Sequence, residues 1–269
     1  MDAEWIITVF VILDELCTKG GRRTHKLAHG CDAEVLMVAV VAARYFQNHH
    51  ERALLMLREL GYLRRSLSVS RFNRRLHALA DWLELGVQVL TEVAQTGDLF
   101  IIDSLPVPVC KRVRARRCRK VRGLDFCGYC AAKKEKFFGW RLHLICTPQG
   151  RPVSYTLLAG RYQDLAPIHE LTFVLPPGVT VYGDKGYISA EDAATILADT
   201  GVRLIAARRT NMQPNEWNDE MNLKRYRKTI ETVNSQMEKM GLQRLHARTN
   251  AGFEIKVHAS LFALSLANL

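Results

Sequence analysis

The sequence predicts an α/β fold, a mixed sheet flanked by helices and preceded by an all-α N-terminal region. Two short apolar runs rich in β-branched residues, 99–102 and 179–183, read as strands buried on both faces. Two further segments, 137–146 and 152–159, are joined by Pro148-Gln149-Gly150 and read as an antiparallel hairpin. Helical periodicity fills the chain up to Gly97 and returns after Asp164. A chain of 269 residues with 48% hydrophobic content can bury one large core, or one core and a smaller helical one.

Taken in order, the spacing predicts helices over 4–16, 33–46, 50–60 and 70–95. Cys31-Asp32 is placed to cap the second, with Val35, Val38, Ala39 and Ala42 on one face. Ser70 reads as the N-cap of the long fourth helix, with Phe72, Leu76, Leu79, Leu83 and Leu90 inward. Arg71, Arg74, Arg75 and His77 cluster at its start. This region, 1–97, fits a DNA-end-binding helical module or a packing and dimerisation role. The sheet domain is expected over 98–269. Its first strand runs into Asp103, and Pro106 and Pro108 are expected to stop it. A long connection follows over 104–136, rich in Arg, Cys and Gly. After the hairpin come a helix at 165–174, the strand 179–183, a Ser189-capped helix at 190–200 and a strand at 202–207. A polar loop leads to helices over 220–240 and 251–267. This order places antiparallel pairing early and parallel crossovers late.

The net charge is +11, and its distribution is informative. Residues 1–98 hold twelve basic and twelve acidic residues, so the whole excess lies beyond them. Within 111–122, Lys111, Arg112, Arg114, Arg116, Arg117, Arg119, Lys120 and Arg122 occur without one acid. Such density is the footprint of a polyanion binder or, more plainly, a solvated charged loop. No apolar run reaches the ~18 residues of a membrane helix. The apolar stretch 5–13 follows two acids and lacks a basic flank, so it does not read as a signal peptide. Seven cysteines, an odd count at irregular spacing, argue for a reducing cytoplasm rather than a disulfide framework. No glycine-rich phosphate loop and no nucleophile elbow is present, which argues against nucleotide hydrolysis and acyl transfer.

The carboxylates carry the chemistry. Asp103 and Asp184 each follow a buried run, and a charge there is costly unless paired. If their strands are parallel neighbours, both acids emerge at the carboxyl edge where open α/β sheets bind ligands. Glu231 borders the apolar stripe Leu223, Tyr226, Ile230, Val233, Met237 and Met240, and has Arg227 one turn before it. It can lean over the sheet end or simply pair with Arg227 on the surface. Three converging oxygen donors suit hard divalent cations, and two such ions can bracket a phosphodiester.

Four runs carry a family resemblance: Phe-Ile-Ile-Asp-Ser-Leu-Pro-Val-Pro-Val-Cys at 100–110, Phe-Phe-Gly-Trp-Arg-Leu-His-Leu at 137–144, Val-Tyr-Gly-Asp-Lys-Gly-Tyr at 181–187 and Arg-Lys-Thr-Ile-Glu-Thr-Val-Asn-Ser-Gln at 227–236. Together they resemble the DDE transposases of bacterial insertion sequences, and most closely the insertion sequence 982 family. The resemblance covers about 70–269 well and the N-terminal helices more loosely. It implies an RNase H-like catalytic domain, two Mg²⁺ or Mn²⁺ ions, and cleavage and strand transfer of double-stranded DNA at element ends and target. A homodimer is implied because two ends must be processed, as is work at the nucleoid in the cytoplasm. The catalytic and metal-binding acids implied are Asp103, Asp184 and Glu231. Arg227 and Lys185 would orient acid and phosphate, and 111–122 would grip DNA. In a related pattern of Tyr, Arg, Glu and Lys, Arg227 and Glu231 fit, whereas Lys224 and Glu238 stand at the outer positions. Two alternatives carry the same sequence: a DNA-binding protein that no longer cuts, and a metal-dependent nuclease without strand joining.

Other residues have two readings each. Cys118, Cys127 and Cys130, with Cys110 upstream, contain one Cys-x-x-Cys, short of the paired spacing typical of zinc sites. His143 is a buried strand histidine or a catalytic one. Asp164 is a helix cap or an acid near the metals. Ser104 satisfies the turn after Asp103.

Overall fold

The computed structural model describes residues 1–269 except Ser66, Arg119, Ala132, Asn268 and Leu269. The chain divides into two compact units: Met1–Leu90 with Met237–Ala267, and Thr91–Gln236. The boundary expected at residue 97 thus lies a few residues earlier. The stretch from Met237 onward groups with the N-terminal helices rather than with the sheet.

In the helical unit, α1 (Ala3–Lys19), α2 (Asp32–Phe46), α3 (His50–Glu59) and α4 (Val69–Ala78) precede α5 (Ala80–Val93), and α9 (Asn250–Ala267) completes it. Every residue of α2 from Asp32 to Ala43 is buried. A helix covered all round is a core helix, and α1, α3, α4 and α9 pack on it. A capping box starts it, with Glu34 N–H on Cys31 Sγ and the Glu34 carboxylate on Cys31 N–H. The buried Asp32 is matched by two guanidiniums, Arg22 at 2.8 Å and Arg75 at 2.6 Å. Asn48, buried beyond the end of α2, donates to Met240 O at 2.8 Å and Ser260 Oγ at 3.0 Å. The expected helix over 70–95 is two helices parted at Leu79, and Ser68, not Ser70, caps the first by accepting from Arg71 N–H. The break leaves Phe72, Leu76, Leu79 and Leu83 buried in one stripe, so periodicity alone does not reveal it.

The other unit is built on β1 (Leu99–Lys111), β2 (Cys127–Cys130), β3 (Glu135–Cys146), β4 (Pro152–Ala159), β5 (Thr180–Gly183) and β6 (Arg203–Ala206). Their order is β2-β3-β1-β5-β6, with β4 also on β3. β1–β3, β2–β3 and β3–β4 are antiparallel, and β1–β5 and β5–β6 are parallel. Helices α6 (Ile168–Phe173), α7 (Ala190–Thr200) and α8 (Trp217–Lys239) flank this mixed sheet. Ser189 caps α7 as the sequence predicts, accepting from Asp192 N–H at 3.1 Å. Phe100, Ile102, Ile145, Val181, Ile168, Leu171 and Ile196 share one core.

One strand differs from expectation. β1 does not stop at Asp103 but runs through Pro106 and Pro108 to Lys111, paired with β3 on both sides of a register shift between Pro108 and Cys110. The reason is geometric. β1 has β5 beside it only over Leu99–Ile102. A Cβ on Gly139 would strike Val107 O and Val109 N, so the odd-numbered backbone groups of β1 face β3. Pro106 and Pro108 then turn their missing N–H toward the flank that β5 has left, where a ladder needs none. The expected connection 104–136 is correspondingly shorter. It contains the rest of β1, 3-10 turns at Arg112–Arg117 and Leu124–Phe126, and β2.

α8 is tied to the sheet at its first turn. Tyr182 of β5 donates its hydroxyl to the buried Asp219 at 2.8 Å, and Asn222 donates to the Tyr182 oxygen at 3.0 Å. Arg203 of β6 stands 3.7 Å from Asp219. These links set the course of α8 beside the carboxyl ends of β1 and β5.

Candidate active site

Ile102 and Gly183 are the last register pair of the parallel β1–β5 ladder. The next residue in each strand is an aspartate, Asp103 and Asp184. Both acids therefore stand side by side where the parallel ladder ends, Asp184 just past β5 and Asp103 within β1, which continues along β3. Asp103 Oδ1 accepts from the Ser104 N–H at 2.7 Å, and its Oδ2 accepts from Asn234 Nδ2 of α8 at 2.7 Å. Asp184 opens the 3-10 turn Lys185–Tyr187 and accepts from Gly186 N–H at 2.7 Å.

The electrostatics are those of a site short of positive charge. Burial, with the charges of Asp184 and Asp164 added, pushes Asp103 up to about 7, against the lowering pull of Ser104 N–H and Asn234. Burial of its carboxyl and the charge of Asp164 also push Asp184 up, offset by Gly186 N–H, Arg227 and Lys185. The Tyr187 hydroxyl is buried with no partner among the described residues. Burial and the charges of Asp164, Asp103 and Asp184 hold its pKa far above the ordinary tyrosine value. Oxygen donors whose charge is under-compensated, beside an orphaned hydroxyl, fit a hard divalent cation.

Asp164 belongs to this group. Its Oδ1 accepts from Ser104 Oγ at 2.5 Å and stands 3.6 Å from Arg141 Nη1. Arg141 also donates to Ser104 Oγ at 3.1 Å and to Tyr129 O at 2.8 Å. Sequence reasoning allowed Asp164 a place near the site, but it missed Arg141 and Asn234. Asn234 carried one usable signal: it lies on the same helical face as Arg227 and Glu231, at seven and three residues' distance.

Glu231 is not drawn to the aspartates. Its Oε1 accepts from Arg227 Nε at 3.0 Å, with side chains 61% and 78% exposed, the surface pair that is the plainer of the two sequence readings. Among the described residues, no three of His, Cys, Asp and Glu are grouped to hold a metal ion. Asn234 below Glu231 touches Asp103, and Arg227 above it is felt by Asp184. The face bearing Glu231 is therefore the face turned to the two acids.

Lys185 is exposed beside Asp184. Of the basic cluster, Lys111, Arg112, Arg114, Arg116, Arg117 and Arg122 are exposed and Lys120 is half-buried. Arg119 lies outside the described residues. The cysteines are free. Cys110 and Cys127 both lie opposite Phe138, on its two flanks. His143 is fully buried between Ser104 and Thr156, and burial lowers it to about 4. Its ring nitrogens have no partner among the described residues, so it is a neutral core histidine without the hydrogen bonds expected of one.

Among the described residues no helix is long and apolar enough to cross a membrane. A family model described as a transposase DDE domain matches residues 93–251. Neither the curated proteins nor the solved structures give a match.

Proposed function

Since the chain belongs to the family of transposase DDE domains, we propose that it cleaves and joins DNA strands as the transposase of a bacterial insertion sequence similar to the 982 family. The observation that carries this reading is the emergence of Asp103 and Asp184 together, one residue beyond the pair Ile102–Gly183. The mixed sheet, antiparallel on one side of β1 and parallel on the other, supports an RNase H-like core.

In this reading Asp103 and Asp184 hold the Mg²⁺ or Mn²⁺ ions that the family generally uses, and Glu231 completes one of two sites. Bound there, a divalent cation supplies Lewis-acid activation of a water or 3′-hydroxyl and charge neutralisation at the leaving oxygen. The chain supplies orientation. Ser104 and Gly186 present backbone N–H groups to the two carboxylates, and Asn234 fixes the second oxygen of Asp103. Lys185 and Arg227, both exposed, offer point charge and guanidinium to a phosphate. Lys111, Arg112, Arg114, Arg116, Arg117, Arg119, Lys120 and Arg122 grip the backbone of duplex DNA without reading its sequence. The helical unit binds element ends. The protein acts as a homodimer on DNA in the cytoplasm.

A second reading draws on the Arg227–Glu231 pair, which occupies the third acid: a DNA-binding protein that does not cut. One experiment separates them. Duplexes carrying the adjacent element ends are incubated in Mg²⁺ or Mn²⁺ with wild type and with Asp184→Asn. Nicking and joining by wild type alone is the expected result. DNA bound but uncut by both supports the second reading, and cutting without joining a nuclease.

A further inference from the structure

The two residues whose backbone amides hold Asp103 and Asp184 both lie against one other side chain, that of Asp164. Asp164 Oδ1 accepts the hydroxyl of Ser104 at 2.5 Å, and the Ser104 N–H donates to Asp103 at 2.7 Å. Asp164 Oδ2 lies against Gly186 so closely that a Cβ there would collide with it, and the Gly186 N–H donates to Asp184 at 2.7 Å. Gly186 is not among the residues of positive φ, so its bare Cα answers the need for room beside Asp164 rather than a need for backbone freedom. Arg141, with only 14% of its side chain exposed, anchors the far side by reaching Ser104 Oγ, Asp164 and Tyr129 O. Tyr187, buried, has a hydroxyl without a partner among the described residues and near enough to feel the charges of Asp164, Asp103 and Asp184.

We infer that Asp164 is a positioning residue for the two catalytic aspartates, one carboxylate bracing Ser104 with one oxygen and Gly186 with the other, and so fixing the spacing of Asp103 and Asp184. This rests on reading those two as the cation-holding acids. Ser104 lies within β1 and Gly186 in the 3-10 turn after β5, and Asp164 is a brace common to both. Loss of such support around metal ligands typically costs about 10- to 100-fold in metal affinity or activity.

The test uses hydrogen exchange on the full-length, metal-free protein, with Asp164→Asn and Gly186→Ala beside wild type. Asp164→Asn removes the charge at Asp164, and Gly186→Ala displaces the carboxylate from the opposite side. The expected result is at least tenfold faster exchange at the amides of residues 104 and 186, with the rest of β1 and β5 protected as in wild type. Both variants are then expected to need at least tenfold more Mg²⁺ for half-maximal cleavage. A general loss of protection across the sheet in both variants would mean a merely structural role and overturn the inference. So would wild-type exchange at both amides in a folded Asp164→Asn. Because exchange needs neither DNA nor metal, local acceleration in a protein whose wild type never cuts would uphold the brace and overturn the cleavage reading instead.

Discussion

Asp103 and Asp184 occupy equivalent positions in two parallel strands, each one residue past a shared register pair. Desolvation raises both pKa values, with the charges of Asp184 and Asp164 adding to it at Asp103 and that of Asp164 at Asp184. A cation relieves both costs, so binding and stability are coupled. Mg²⁺ or Mn²⁺ at about a hundred times its dissociation constant is expected to stabilise the wild type by about 2.7 kcal/mol. Thermal melting across a Mg²⁺ titration measures this, and Asp184→Asn is expected to lose most of the rise. A wild type whose melting point ignores the cation would count against the site.

Asn234 reaches Asp103 from α8 as an amide donor at 2.7 Å. Asn234→Ala is expected to lower cleavage about 10- to 100-fold, as removal of a ligand's hydrogen-bond partner does. Asn234→Asp, which sets a further negative charge on Asp103, is expected to be worse. Single-turnover cleavage with circular dichroism as the folding control decides it. Equal rates for Asn234→Ala and wild type would remove Asn234 from the machinery.

The Arg227–Glu231 pair separates structural from chemical roles. Exposed pairs one helical turn apart contribute about 0.3–0.5 kcal/mol. Glu231→Gln is therefore expected to change unfolding free energy by no more than about 0.5 kcal/mol and yet to abolish cutting. Retained cutting would show that the reaction proceeds without Glu231.

The basic segment should act through charge alone. Replacing Arg112, Arg114, Arg116 and Arg117 by Gln is expected to weaken binding to any duplex to a similar extent. The slope of log affinity against log salt should shrink by about 0.9 for each phosphate that is no longer neutralised. These side chains are exposed, so melting should hardly change. Fluorescence anisotropy over a salt series measures the slope, and an unaltered slope would place the DNA elsewhere.

Acid should weaken the helical unit through His50. Burial lowers this residue to about 3, reinforced by the nearby charges of Lys256, His77 and His49 and opposed by a hydrogen bond to Asn73. The unfolded chain binds its proton near 6.5 and the folded chain does not. Stability from His50 is thus complete above pH 6.5 and is lost as pH falls from there toward 3, at up to about 1.4 kcal/mol per pH unit. Urea unfolding at several pH values should show this slope, and His50→Gln should flatten it.

The strands and their neighbours are readable because buried apolar runs and alternating hairpins are local signals. The extension of β1 through Pro106 and Pro108 is not, since whether a proline is tolerated depends on which flank has a partner. The paired aspartates are readable from the runs that precede them. Asp164 and Arg141 are not fully so: their meaning lies in contacts with Ser104 and Gly186, distant in sequence and joined only by the fold. Glu231 shows the converse, a motif position whose side chain the structure spends on Arg227.

α9 packs on α2 inside the helical unit, although the whole sheet unit lies between them in sequence. On a ribosome this ordering sets a schedule. The sheet unit has all its strands by Ala206, and α8 follows, while α2 still lacks the surface that α9 will cover. A nascent chain stalled before Asn250 would carry a finished sheet and an open apolar seam, the kind of intermediate that chaperones and proteases recognise. The cover that α9 gives to α2 therefore forms only after every strand of the sheet unit has been made.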